Sequence, residues 1–282
     1  HSPMVYVTDR FGHYTGVVYL HDIIKALPHS PISELLVSLP SIRAESDLMT
    51  AAMEVENAET SALPVVNDNN IFLGCITLAD AVWIVREESE SVLMKTVGMN
   101  EDEDLFAPVK RSAKRRAVWL GINLLTAFLA SWTIGLFGET LQQVVALAVL
   151  MPIVASMGGI AGSQTLTLVI RGIALGQISD ANFKALLKKE LRVGILNGVI
   201  WSVVVAIVAG LWFQNIIIAL VIAIAIIINI AAAALSGVVI PVVLDRLKID
   251  PALSGSVILT TVTDVVGFVA FLGTGTLLLI HA

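Results

Sequence analysis

Charge and cysteine are both scarce in this chain. Only 14% of its 282 residues are Asp, Glu, Lys or Arg, against about a quarter in a soluble globular chain, and the deficit excludes a single soluble domain. One cysteine, Cys75, excludes an intrachain disulfide framework and is compatible with a reducing compartment. No Gly-rich phosphate loop and no His/Cys cluster at zinc-ligand spacing occurs. No nucleophile–base pair stands within or beside the apolar stretches, which argues against an enzyme. A net charge of −6 leaves no basic excess for nucleic acid. Apolar residues are abundant instead: 56% of the chain, with a mean hydropathy of +0.87. The length allows about two domains, one of them in a membrane.

The charges are unevenly spread. Residues 1–104 hold five Lys/Arg against 17 acids, a net of −12, and residues 105–282 hold 12 against six, a net of +6. An acidic block precedes a basic, apolar one, an asymmetry that bears on partners more than on fold. Residues His1–Leu20 lack the basic start and apolar run of a signal peptide. The chain opens without Met, in what reads as a strand, so it reads as a fragment of a longer protein.

A helix needs about 20 apolar residues to cross hydrocarbon. Five stretches qualify: Ala117–Phe137, Leu141–Ile170, Val193–Phe213, Ile216–Leu244 and Ala252–Ile280. The second contains Pro152 and Gly158-Gly159, which predict a kink or a re-entrant turn. All 12 basic residues of this half fall before span one, between spans two and three, or between spans four and five. The positive-inside rule places those ends in the cytoplasm. The N-terminal block is then cytoplasmic and the C-terminus outside. The Lys110–Arg116 cluster reads as an orientation anchor against anionic lipid.

Asp264 is the only acid well inside a span, 12 residues after Ala252 and 16 before Ile280. An ionisable group at that depth is costly and is a functional candidate by default. Thr260, Asp264, Gly267, Phe271 and Thr274 recur at helical spacing, a stripe of small and polar residues. No Lys or Arg lies inside any span to pair with Asp264, so the carboxylate is protonated, wetted or bound to a cation. A two-fold dimer would bring two copies of it to one axis. Acids lining water-filled pores select cations, so the residues indicate a cation pathway without choosing the cation. Asn229, in the fourth span, reads as a hydrogen-bonding partner of a neighbouring helix, with a pore-facing side chain as the alternative. Gly158, Gly159 and Gly162, with Gln164, read as helix-packing positions and pore-lining candidates, together with Gly267.

The N-terminal block reads as small α/β units. Strands at Met4–Val7 and 16–20 lead to a helix from about Asp22. A helix from Leu48 to about Asn57, strands at 62–66 and 71–76 around the turn Asn67-Asp68-Asn69-Asn70, and a helix from Leu78 to about Glu88 follow. The run LPVVNDNNIFLGCITLADAV resembles the second half of a CBS domain, and residues 4–27 resemble the tail of a preceding one. That resemblance implies a regulatory module in which Thr77 and Asp80, of Thr77-Leu78-Ala79-Asp80, contact an adenine nucleotide such as ATP. The plainer reading makes Thr77 a helix cap.

From residue 108 onward the chain resembles the MgtE-type magnesium channel/transporter family. The resemblance rests on RAVWLGINLL, LAVLMPIVASMGGIAGSQTLTLVIRGIALGQI, KKELRVGILNG, LSGVVIP and DRLKIDPALSGSVILTTVTDVVGF. It implies an α-helical membrane protein of five transmembrane helices with an N-terminal cytosolic α/β CBS region. The implied divisions are 1–90 for the CBS region (second module from about 28), 91–116 for a connecting plug helix and 117–282 for the pore. It further implies a homodimer in the inner or plasma membrane that moves hydrated Mg²⁺. Asp264 and Thr260 would serve the pore, and Glu101, Asp104 and Asp250 would bind the cytosolic Mg²⁺ that closes it. Asp250-Pro251 also fits a plain helix N-cap, and Glu101–Asp104 a solvated linker. The chain departs from the family at Ile160, where an Asn is usual in Gly-Gly-Asn-x-Gly-x-Gln, at Ala79 and near Ser91, where acids are usual. Two other classes stay open: a proton- or sodium-coupled carrier of divalent metals, and a non-conducting CBS-linked sensor.

Overall fold

The computed structural model describes residues 3–99 and 106–279. The chain separates into two compact units, residues 1–91 and 92–282.

The first unit opens with an antiparallel hairpin, β1 (Met4–Thr8) and β2 (Tyr14–Tyr19), followed by the short helix α1 (Leu20–Lys25). A second sheet has the order β3 (Ile42–Arg43), β4 (Ala62–Val66), β5 (Phe72–Thr77), with β3 parallel and β5 antiparallel to β4. The predicted turn at Asn67 is present. Its Oδ1 accepts from the N–H groups of Asn69 and Ile71 at 3.0 and 2.9 Å, and Asn70 takes a φ of 59°. Helix α2 (Leu48–Asn57) starts where the Asp47 carboxylate accepts from Met49 and Thr50 N–H. Its buried face of Ala51, Ala52 and Val55 packs with Ile42, Leu63 and Ala81.

Helix α3 (Leu78–Thr96) corrects the sequence reading, which ended it near Glu88. The charged stretch stays helical because Arg86 and Glu90 pair at i,i+4, 2.9 Å apart, and no Gly or Pro intervenes before Gly98. Of the connecting segment expected over 91–116, residues 100–105 lie outside the described residues; those described comprise the end of α3 at Thr96, Gly98 at a φ of 72°, and the start of α4 at Val109.

Among the described residues, the second unit holds the end of α3 and then α4 (Val109–Gly135), α5 (Gly138–Gln143), α6 (Val145–Ala174), α7 (Asp180–Phe213), α8 (Ile216–Arg246) and α9 (Pro251–Leu279). Five of these, all but α3 and α5, are long and apolar enough to cross a membrane. Their positions agree with the five predicted spans, but α7 begins at Asp180 instead of Val193, because its polar first turns are helical too. The predicted interruption of the second span also moves. Helix α6 runs unbroken through Pro152 and Gly158-Gly159, and the break lies ahead of it at Val144. Helix α8 is the hub and packs against α6, α7 and α9. Its Ile222, Ala225 and Ile226 join Leu147, Leu150, Val154 and Phe271 in the main apolar core. The Arg246–Asp180 ion pair sets the end of α8 beside the start of α7, so both lie at one end of the bundle.

Candidate functional site

Helix α9 presents two adjacent stripes. Ala252, Gly255, Leu259, Thr263, Gly267 and Phe271 are buried against the other helices. Ser256, Thr260 and Asp264, spaced by four, run alongside, with Thr260 exposed and Asp264 half-buried at the edge of the packed face. The predicted stripe is therefore divided: Gly267 and Phe271 are interior, while Thr260 and Asp264 border the uncovered side.

Two contacts set the level of Asp264 in the bundle. Leu259 lies over Gly162 of α6, and Gly267 meets Asn229 of α8, which also abuts Gly158 of α6. Asp264 falls between these levels, alongside the Gly158–Gly162 segment. Among the described residues its carboxylate has no hydrogen-bond or ion-pair partner in the chain. The Thr260 hydroxyl donates to the Ser256 carbonyl at 2.9 Å, and the Thr260 carbonyl accepts from Thr263 at 3.0 Å. That carbonyl is thus engaged inward, and the polar atoms beside Asp264 on the open face are hydroxyl and carboxylate oxygens.

The other predicted residues divide between interior and surface. Gly158, Gly162 and Gly267 are buried where helices meet. Gly159 has open space at its Cβ position. Gln164 is exposed and borders a cavity of about 400 Å³ between α6, α7 and α8, with Ile160, Asn197 and Trp201. Ile160 faces this cavity on the side of α6 away from Gly158 and Gly162. Asp264 is not among the residues that border it. The predicted interhelical bond of Asn229 is present: its Nδ2 donates to the Val154 carbonyl at 2.8 Å.

At the basic end of the bundle, Asp250 caps α9. Its Oδ1 accepts from the Ala252 N–H at 2.9 Å, and its Oδ2 lies 3.2 Å from the Lys95 ammonium. Glu101 and Asp104 lie outside the described residues. Among those described, no group of three or more His, Cys, Asp or Glu is placed to hold a metal.

In the first unit, Thr77 and Asp80 are engaged with each other. Asp80 Oδ2 accepts from the Thr77 N–H at 2.9 Å and its hydroxyl at 2.7 Å, and the Asp80 N–H donates to Thr77 Oγ1. This reciprocal cap starts α3. The hydrogen bond from the Thr77 side chain, then that from its backbone, holds the Asp80 carboxyl below its ordinary value.

One buried carboxylate escaped the sequence reading. Glu190 on α7 is 5% exposed, 3.0 Å from the Lys189 ammonium and 3.5 Å from the Thr165 hydroxyl. It lies in the polar stretch between the second and third predicted spans; only its i,i+4 relation to Gly194 hinted that this side of the helix packs closely.

Comparison with known proteins follows the same division. Residues 151–274 match the family model described as MgtE: Divalent cation transporter, and residues 32–87 match that of the CBS domain. Three curated relatives are each named Magnesium transporter MgtE. That of Bacillus subtilis is 30% identical over 96% of this chain and 60% of its own length. That of Enterococcus faecalis is 28% identical over 92% and 57%. That of Thermus thermophilus is 27% identical over 98% and 62%. The chain therefore spans about 60% of the length of the curated relatives it matches. Their names describe transporters, not enzymes.

Proposed function

We propose that this chain, which joins an MgtE-type divalent cation transporter domain to a CBS domain, carries hydrated Mg²⁺ through a pore on the two-fold axis of a homodimer. One observation carries the reading: Asp264 sits deep in an apolar helix, at the border of an uncovered face, with no cationic partner among the described residues. A lone carboxylate turned to lipid is costly. A second copy across a two-fold axis converts that face into a polar lining and brings a second carboxylate to it. Mg²⁺ sheds water reluctantly and is held by one or two carboxylates through a shell it largely keeps. The pair of Asp264 side chains then binds the ion, and the Thr260 hydroxyls meet its waters. The half-buried Gly159 and the exposed Gln164 of α6 are pore-side candidates on the neighbouring helix.

The basic helix ends lie in the cytoplasm under the positive-inside rule, with the CBS unit on that side and the C-terminus outside. Cytosolic Mg²⁺ closes the pore by neutralising Asp250, Glu101 and Asp104, and the last turns of α3 transmit the change. Clustered carboxylates repel when empty and are drawn together by a divalent ion, which biases an element with two positions. An adenine nucleotide such as ATP is a second regulator. Asp80 Oδ1 has no partner among the described residues, and its carboxyl stays anionic to accept from ribose hydroxyls.

Reconstitution in liposomes tests the reading. Uptake of Mg²⁺ by the wild-type chain is expected to be lost, by at least about tenfold, in Asp264→Ala. Uptake equal to wild type in that variant would end the pore assignment.

A further inference from the structure

Within the second unit, the end of α3 and the turn that follows it are held against the other helices at three points. Val92 packs with Leu166, Ile170, Ala252 and Leu259, which joins α3 to α6 and α9. Lys95 pairs with Asp250 at the start of α9, 3.2 Å from its Oδ2. Gly98 lies under the Trp119 ring of α4, so close that a Cβ there would fall 2.7 Å from the indole. The middle contact is the one an ion can enter. Asp250 has already committed Oδ1 to the Ala252 N–H, so Oδ2 is the oxygen left for a cation, and the Lys95 ammonium rests on it. Both helix dipoles favour the arrangement, with a cation in the last turn of α3 and an anion at the first turn of α9.

We propose that Lys95 is a tethered stand-in for the cytosolic cation, which a hydrated divalent ion must displace from Asp250 Oδ2 before it binds there. The inference rests on the reading that cytosolic Mg²⁺ acts at Asp250, and it names what regulates that site. The ammonium carries one charge on a flexible four-carbon stem, and a divalent ion brings two charges to the same oxygen, so the two cations exclude each other. Displacement removes the ion pair between the end of α3 and α9, while the Val92 packing stays. Because α3 begins at Leu78, directly after strand β5 of the first unit, the exchange at Asp250 acts on a helix that starts in the CBS domain. Lys95 then sets the Mg²⁺ concentration at which the pore responds. Both side chains are partly exposed, 28% for Lys95 and 41% for Asp250, so the ammonium can leave for water without a buried charge left behind.

The test is Mg²⁺ current through the full chain in liposome patches, with Mg²⁺ titrated onto the face that carries the CBS unit. Lys95→Gln is expected to close at lower Mg²⁺ than wild type, by about two- to fivefold, the range that a partly exposed ion pair supports. Lys95→Arg should stay within about twofold of wild type. In an Asp250→Asn background, Lys95→Gln should make no further difference. Half-closure of Lys95→Gln at the wild-type concentration or above it would overturn the inference while leaving the Mg²⁺ gate intact. A wild-type current indifferent to Mg²⁺ on that face would overturn both the gate and the stand-in. Because the pair is on the surface of both helices, loss of folding is not expected, and matched circular dichroism of the variants checks it.

Discussion

Asn229 Nδ2 donates to the Val154 carbonyl across 2.8 Å, from the middle of α8 to α6. The amide is fully buried, and its Oδ1 has no partner among the described residues. Gly158 and Gly267 flank it, so a Cβ on either would lie 2.2 or 2.6 Å from Nδ2. Three helices thus meet at one amide, three residues along α9 from Asp264. A polar side chain in such a place holds helices in register, and here the register it holds is that of the helix bearing the carboxylate.

Gly158→Ala is therefore expected to destabilise the membrane unit by about 1–3 kcal/mol, the cost of overpacking a closed site. Asn229→Ala alone removes the interhelical bond and also lowers stability. The double variant Gly158→Ala/Asn229→Ala should be more stable than the sum of the two single losses predicts, because the methyl then has the space the amide left. Thermal unfolding in detergent measures this, and strict additivity would contradict the contact.

Gly98→Ala meets two obstacles, a φ of 72° and the Trp119 ring. A left-handed backbone alone costs a non-glycine residue about 1 kcal/mol or more. Trp119→Ala should relieve the steric part and leave the backbone part. Hydrogen exchange at the end of α3 reads it, with faster exchange in Gly98→Ala and partial recovery in the double variant.

The Thr77–Asp80 cap gives a pH prediction. Asp80 is held below its ordinary value of 3.8, chiefly by the hydrogen bond from the Thr77 side chain. A carboxyl lowered in the folded state stabilises that state above its unfolded value, and the benefit is lost as the pH falls through the lowered folded value. Wild type should then protect the first turn of α3 better than Asp80→Asn at neutral pH, and the two should converge as acid takes the pH below 3.8. Thr77→Ala should cost about 1 kcal/mol as the loss of an N-cap. If ATP binds through Asp80, Asp80→Ala should also lower its affinity in a direct binding titration, and equal affinity would reduce Thr77 and Asp80 to a cap.

Much of this was legible in residue order. Unbroken apolar runs with Phe137-Gly138-Glu139 and Gln214-Asn215 between them marked the spans, because a membrane asks for length and hydropathy and little else. Asp264 stood out for the same reason, as an acid among apolar residues. What residue order hid is what depends on neighbours. Gly158-Gly159 reads as a weak point in a helix, yet Gly158 is filled by an amide 71 positions away, and the helix does not break. Lys184, Lys188, Lys189, Glu190 and Arg192 fall outside the apolar span that hydropathy marks, yet charged residues extend a helix well and α7 includes them all. Nothing in sequence spacing brings Lys95 to Asp250, since that pairing exists only once α3 docks on α9.

The coupled-carrier reading separates from the channel by its dependence on a second ion. A channel passes Mg²⁺ down its own gradient with protons and sodium equal on both sides. Uptake should be unchanged when an opposing sodium or proton gradient is imposed at constant membrane potential, as followed with a Mg²⁺-sensitive dye in the liposomes. Uptake driven by either gradient would favour the carrier.

The most direct test of the whole account is a density map of the assembled protein in lipid, with and without Mg²⁺. The account predicts one ion on a two-fold axis between two Asp264 carboxylates, at about 4 Å from their oxygens with a water layer between, and its disappearance in Asp264→Ala. An Asp264 that faces acyl chains, or is closed off by a neighbouring helix with no ion and no water beside it, would contradict it.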